Sequence, residues 1–189
     1  DIDPDFRMGV DNRFRLGRVS ANFLISWRQG GSVFSNTVGT LRRTGLAEET
    51  AVNREGSFID QGVNRRITVS GARADTTYVP NQTPVTNMQE FWNRYASSQM
   101  QEGNVFDATN VRLREVNVSL DVPRRWLGRV PVSGMTVGLE GRNLLLLYKK
   151  VPHIDPEVGL FGSASEGAGI EWDVLPSARS LGLNVQVQF

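Results

Sequence analysis

The sequence predicts an all-β chain: strands of a transmembrane antiparallel β-barrel joined by long extracellular loops. Two observations carry that expectation. Apolar and polar residues alternate with a period of two in five long runs, and the connections between those runs are alternately short and long. Alternation of this kind gives each strand one apolar and one polar face. Brief turns at one end and extended loops at the other are the pattern of an outer-membrane barrel. A large soluble sheet with one wet face would alternate too, but its turn signals come more evenly, every ~8–12 residues.

The runs fall at about 5–16, 19–29, 110–122, 133–148 and 179–189. In the first, Phe6, Met8, Val10, Phe14 and Leu16 share one parity while Arg7, Asp11, Arg13 and Arg15 take the other, and Asn12 interrupts the apolar column. In the second, Val19, Ala21, Phe23, Ile25 and Trp27 alternate with Ser20, Asn22, Leu24, Ser26 and Arg28. Val116, Val118, Leu120 and Val122 form the apolar side of the third, and Met135, Val137, Leu139 and Gly141 that of the fourth. Leu181, Leu183, Val185, Val187 and Phe189 complete the set. Charge supports the assignment of faces. Arg13, Arg15, Arg28, Glu140 and Arg142 all sit in polar columns, and an Arg or Lys facing lipid near the midplane would cost about 2–4 kcal/mol. Arg112 and Arg114 share the parity of Val116, so they must lie beyond the membrane or follow a bulge that resets the alternation.

The connections are a tight turn at Gly17-Arg18, a stretch over about 30–109, a short link from Pro123 to Val132, and a stretch over about 149–179. If the last strand ends at the periplasm, the two long stretches are extracellular. Phe6, Trp27 and Tyr148 then form an aromatic girdle on the outer side, with Trp126 and Phe189 on the inner side, where amphipathic rings suit the headgroup level. Within the longer stretch, Thr86 and Gln89 have the spacing of a capping box. Met88, Phe91, Trp92 and Tyr95 follow as one apolar helical face. Phe34, Val38 and Leu41 suggest a shorter helix ending near Gly45, and Ile67 to Val69 with Thr76 to Val79 suggest a hairpin.

Composition excludes several classes. Cysteine is absent and histidine occurs once, which removes disulfide scaffolds, Cys-based zinc sites and thiol nucleophiles. Net charge is +1 and the basic residues form no stripe interleaved with aromatics, so nucleic acid is not an expected partner. Mean hydropathy is −0.30, and no run approaches the ~18 apolar residues of a membrane helix. No signal peptide is visible at Asp1, so the sequence is expected to be mature or to lack its beginning.

Six fragments, in order, resemble one family. They are DPDF at Asp3 to Phe6, WRQGGSVFSNT at Trp27 to Thr37, and YVPNQTPVTNMQEFW at Tyr78 to Trp92. VRLREVNVSLDVPRRWL at Val111 to Leu127, LEGRNLLLL at Leu139 to Leu147 and HIDPEV at His153 to Val158 follow. Together they are similar to the C-terminal part of SusC/RagA-type TonB-linked outer-membrane transporters of Bacteroidetes-like bacteria. The departures are the Arg-rich loop around Arg65, Arg66 and Arg73, and Asp121 where an aromatic is common. The resemblance implies a barrel of about 22 strands plugged by an N-terminal domain outside this sequence. It also implies a SusD-like surface lipoprotein over the mouth, energy from the TonB complex acting through the absent N-terminal part, and import of oligosaccharides or peptides. Residues 1–189 would be wall strands and loops, partnered by the remaining barrel strands and plug, by the barrel-assembly machinery and by lipid or lipopolysaccharide. A non-energised structural or adhesive barrel and a soluble β-rich carbohydrate-binding module are the alternative readings.

Few residues invite chemistry, and no catalytic residue, cofactor site or metal site is expected. Val185, Val187 and Phe189 resemble the C-terminal signal read during barrel assembly, where an exposed last strand can template pairing. The plain alternative is an edge strand that ends in Phe. Phe91, Trp92 and Tyr95 could touch substrate or lid, although packing of the loop onto its own barrel rim is the simpler role. His153 has no triad or ligand set around it in the sequence. Asp155 and Glu157 around Pro156 could in principle bind a cation or act as an acid–base pair, and a proline-defined turn is the expected reading, as for Asp3 and Asp5 around Pro4. Gly138, Gly141 and the stretch Gly162 to Gly169 do not match a phosphate-binding loop.

Overall fold

The computed structural model describes residues 1–96, 100–128, 131–160 and 169–189, so the stretch expected from Gly162 lies outside the described residues up to 168. In chain order the elements are β1 (Phe6–Leu16), β2 (Val19–Gln29), β3 (Ser32–Ser35), α1 (Asn36–Thr44), β4 (Phe58–Ile59), β5 (Val63–Ser70), β6 (Arg73–Pro80) and β7 (Pro84–Val85). Then come α2 (Met88–Asn93), β8 (Val105–Asp107), β9 (Asn110–Asp121), α3 (Arg124–Leu127), β10 (Gly134–Lys149), β11 (Ile170–Glu171) and β12 (Ser180–Gln188). Strand dominates, and no helix is long and apolar enough to cross a membrane. The chain forms two compact units, one of Asp1–Thr37 with Val105–Phe189 and the other of Val38–Asn104.

In the first unit the long strands make one antiparallel sheet in the order β1-β2-β9-β10-β12. Leu16 pairs with Val19 across the two-residue turn Gly17-Arg18, where Gly17 takes φ +61°. Glycine at the first central position is what a type II′ hairpin turn requires. Because side chains alternate, register decides whether five apolar columns become one surface. They do. Leu16, Val19, Leu120, Val137 and Val185 form one row across the sheet, and Phe14, Ala21, Val118, Leu139 and Leu183 form the next. The row beyond holds Asn12, Phe23, Val116, Gly141 and Leu181, with Asn12 its polar member. Arg13, Asn22, Asn117, Glu140 and Gly182 form a matching row on the opposite face.

The register slips between Leu24 and Ile25 of β2 and between Arg142 and Leu145 of β10, both opposite Arg114 of β9, and again between Leu146 and Tyr148 of β10. A bulge adds one residue to a strand and so exchanges its faces. Beyond it Leu113 pairs with Ile25 in the apolar column, while Arg112 pairs with Ser26 in the polar one. Of the two possibilities for Arg112 and Arg114, the bulge is the one realised.

A second, three-stranded sheet has the order β11-β3-β8. No periodicity in the sequence indicates it. Phe34, expected in a helix, pairs instead with Val105 and Ile170, and the helix begins two residues later. The fully buried Glu171 carboxylate ties the sheet to the start of α1. It accepts from the hydroxyls of Ser35 and Thr37, both at 2.5 Å, and from the amides of Thr37 at 3.3 Å and Val174 at 3.0 Å. A carboxylate at a helix N-terminus is also favoured by the helix dipole.

The second unit contains the expected hairpin, β5 on β6, and the short pair β4 on β7. The α1 helix stops at Thr44, before Gly45 at φ +74°. The α2 helix is shorter than its apolar face suggested, and its cap lies one residue later. Asn87, not Thr86, accepts the Glu90 amide at 3.1 Å, and the helix ends at Asn93, leaving Tyr95 in the turn beyond. Asparagine is among the strongest N-caps, so it displaces the neighbouring threonine. Phe91 is 5 % exposed and packs edge-on to Phe58 and Trp92, both at 5.1 Å between ring centres.

Candidate functional site: an arginine-rich corner of the polar face

The residues singled out from sequence are dispersed. Val185 and Val187 lie on the edge strand β12, paired with Val137 and Met135, and Phe189 beyond them is 92 % exposed. Phe6 meets Trp27 edge-on at 5.1 Å, and Trp27 shares a row with Val111 and Tyr148. Trp126 is exposed on α3, the link at the opposite end of β9 and β10. Trp92 and Tyr95 are half-buried beside Phe91 and face one another at 5.4 Å. His153 is exposed at φ +60°. Asp3 and Asp5 precede β1, and the Asp5 amide donates to the Gln29 carbonyl at 2.9 Å. Among the described residues no three His, Cys, Asp or Glu side chains gather into a metal-binding group.

Asp155 and Glu157 do more than shape a turn. The bulge brings Arg112 and Arg114 of β9 to the polar side, and the Asp-Pro-Glu turn lies against them. Arg112 pairs with Asp155, both nearly buried, and its Nε lies 3.5 Å from Glu157. Arg114 donates to Glu157 at 2.7 Å and to the Ser26 hydroxyl at 2.8 Å. The Ser177 hydroxyl accepts from Arg112 at 2.7 Å and donates to Asp155. Burial alone would push the Asp155 carboxyl up, but the Ser177 hydroxyl, the Glu157 amide and the Arg112 guanidinium together hold it below its ordinary value. A buried ion pair needs such added hydrogen bonds to offset desolvation. The matching spacing, Arg-x-Arg at 112 and 114 against Asp-x-Glu at 155 and 157, is the sequence signal that could have revealed it.

Two further arginines complete the corner. Arg7 of β1 pairs in register with Arg28 of β2. Arg28 Nη2 donates to the Ile2 carbonyl at 3.0 Å, while its Nε is buried without a hydrogen-bond partner. Gly31, at φ +77°, lets the chain pass here, since a Cβ would meet Arg28 at 2.7 Å and the Ile2 carbonyl at 2.8 Å. A cavity of about 310 Å³ opens among Arg7, Ser26, Arg28, Arg114, Asn143 and Glu157. A second, of about 810 Å³, lies in the other unit beside Arg42, Arg54, Asn87, Gln89 and Trp92. In the first unit, Lys150 donates to Asp107 at 2.6 Å. Burial would raise the Asp107 carboxyl, but bonds from Lys150 and Thr109 bring it down to about 2, and the same contact raises Lys150. The arrangement holds fixed positive charge and hydrogen-bond donors, with neither a nucleophile–base pair nor a metal-ligand set among the described residues of the corner.

No family model matches the chain. It is similar to TonB-dependent receptor P3 of Formosa agariphila, 23 % identical over 193 aligned positions that include the whole chain. The chain spans 17 % of that protein's length. The likeness supports a relationship to TonB-dependent receptors.

Proposed function

We propose that residues 1–189 are wall strands and extracellular loops near the C-terminus of a plugged, TonB-dependent outer-membrane barrel of the SusC/RagA type. The observation that carries this reading is the exposed apolar face of the five-stranded sheet. Leu183 is 69 % exposed and Leu139 64 %, in register with Phe14 at 58 %, and Leu181 in the next row is 80 % exposed. Water would penalise such a contiguous surface; acyl chains would not. The opposite face carries charges and amides suited to a wet lumen. Both outer strands, β1 and β12, also have an unpaired side within the sheet, and an open edge in hydrocarbon leaves backbone groups unsatisfied at several kcal/mol each. The remaining barrel strands would pair them.

In this reading the full-length protein imports oligosaccharides or peptides beneath a SusD-like surface lipoprotein. TonB supplies energy through the plug, and Val185, Val187 and Phe189 serve the assembly machinery. The test is expression of the full-length protein with its native terminus and with Phe189 deleted. The native protein is expected in the outer membrane as a band whose gel mobility shifts on heating, and co-purifying with a surface lipoprotein. Deletion of Phe189 should lower the heat-shifting fraction several-fold. A native protein that is soluble without detergent would overturn the proposal.

A further inference from the structure

We propose that the corner formed by Arg7, Arg28 and Arg114 is a binding site for an oxyanion, a carboxylate or sulfate group carried by a ligand in the barrel lumen. The site rests on the wall reading above for its location, and on independent geometry for its chemistry. Charge is the first argument. Arg7, Arg28, Arg112 and Arg114 gather here; Asp155 and Glu157 are already engaged by Arg112 and Arg114, and of the other carboxylates that act on Arg28, Asp107 is held by Lys150 while Asp3 makes no ion pair with it. Arg7 and Arg28 make no ion pair among the described residues, although like charges paired across strands repel. Such a pair is stabilised when an anion bridges it.

Unsatisfied donors are the second argument. Arg28 Nε is buried and has no partner, and the exposed side chain of Arg7 makes no hydrogen bond among the described residues. An unmade bond from a buried charged group is costly, and a planar guanidinium suits two-point recognition of a carboxylate or sulfate. Space is the third. The cavity of about 310 Å³ beside these groups is at the lower end of small-ligand sites. Ser26 and Asn143 line it and offer neutral donors. Glu157, held by both Arg112 and Arg114, fixes the Arg114 guanidinium in place.

The experiment is calorimetric titration of the detergent-solubilised full-length protein with sodium sulfate and, separately, with sodium glucuronate. Each titration is set against sodium chloride at equal ionic strength. Saturable binding of one or both anions is expected, and the stronger arm identifies which oxyanion the corner takes. Arg28→Gln and Arg7→Gln should each weaken it about ten-fold or more, as loss of a charged hydrogen bond does; Arg28→Lys should fall between. Arg7 is exposed, so its variant tests the site even where Arg28→Gln fails to fold. Absence of saturable binding in protein that still shifts on heating would overturn the site while leaving the barrel reading intact. Unchanged affinity in Arg7→Gln would overturn it as well. Saturable binding in protein that never shifts on heating would overturn the barrel reading and the lumen location, and keep the anion site.

Discussion

The aromatic cluster around Phe91 and the five-stranded sheet handle apolar residues in opposite ways. In the unit of Val38–Asn104, Phe91 is buried edge-on to Phe58 and Trp92, as in any water-soluble core. In the five-stranded sheet, larger apolar rows from Phe14 to Leu183 are exposed, and buried side chains on the other side are polar, such as Arg112 and Asn110. One chain thus carries a core that faces inward and a sheet that is inside out. On the proposed wall reading, the difference is one of solvent: the second surface faces acyl chains. Substitutions of one kind should therefore have different consequences in the two regions.

The largest effect should come at the polar corner. Arg112→Ala leaves Asp155 buried and unpaired, and should cost about 3–5 kcal/mol, read as a lowered unfolding midpoint in lipid vesicles. Replacing both members, Arg112→Met with Asp155→Leu, should recover most of it. If the single variant is neutral, the corner is wetter than its burial implies. Phe91→Ala should cost about 3–5 kcal/mol, confined to the 38–104 unit and read as local loss of hydrogen-exchange protection there while β9 and β10 stay protected. Loss of protection in both regions would merge the two units into one.

Next comes Leu139→Arg. In a lipid-facing column it should cost about 2–4 kcal/mol, measured by folding into vesicles; on a water-exposed face it would be nearly silent. Glu140→Gln, one residue on and on the other face, should be near neutral.

The smallest effect concerns acid. Asp107 falls from 3.8 to about 2 in the folded protein. A depressed carboxyl adds stability above its unfolded value and loses it as pH falls through the folded one, so the contribution should fade between roughly pH 4 and 2. Asp107→Asn should flatten that window only slightly, because exposed pairs are screened. A large change would mean the contact is drier than its exposure indicates.

The sheet was legible because its signal is local and periodic. Val19 to Trp27 and Leu181 to Val187 alternate within a single strand, so the expected ranges lie within about a residue of β2 and β12. The bulge was half legible: Arg112 and Arg114 broke the parity rule, which showed that something must give but not what. The three-stranded sheet was opaque. Its strands β3, β8 and β11 are two to four residues long and come from segments far apart in sequence, so no periodicity can accumulate. The arginine corner was opaque for the same reason, since Arg7, Arg28, Arg114 and Glu157 meet only through strand order and a loop. The cap at Asn87 was missed because Thr86 also fits the pattern, and only backbone geometry decides between neighbours.

The most direct measurement uses the absence of native cysteine from residues 1–189. Single cysteines placed along β10 at positions 136 to 140, in full-length protein otherwise free of cysteine and reconstituted in vesicles, would carry a nitroxide. Relaxation by oxygen, which concentrates in hydrocarbon, is compared with relaxation by a water-soluble nickel complex. We expect period two: labels at Val137 and Leu139 respond to oxygen, and those at Thr136, Gly138 and Glu140 to nickel. Nickel access on both faces, or labels at Val137 and Leu139 shielded from both agents by protein, would contradict the account.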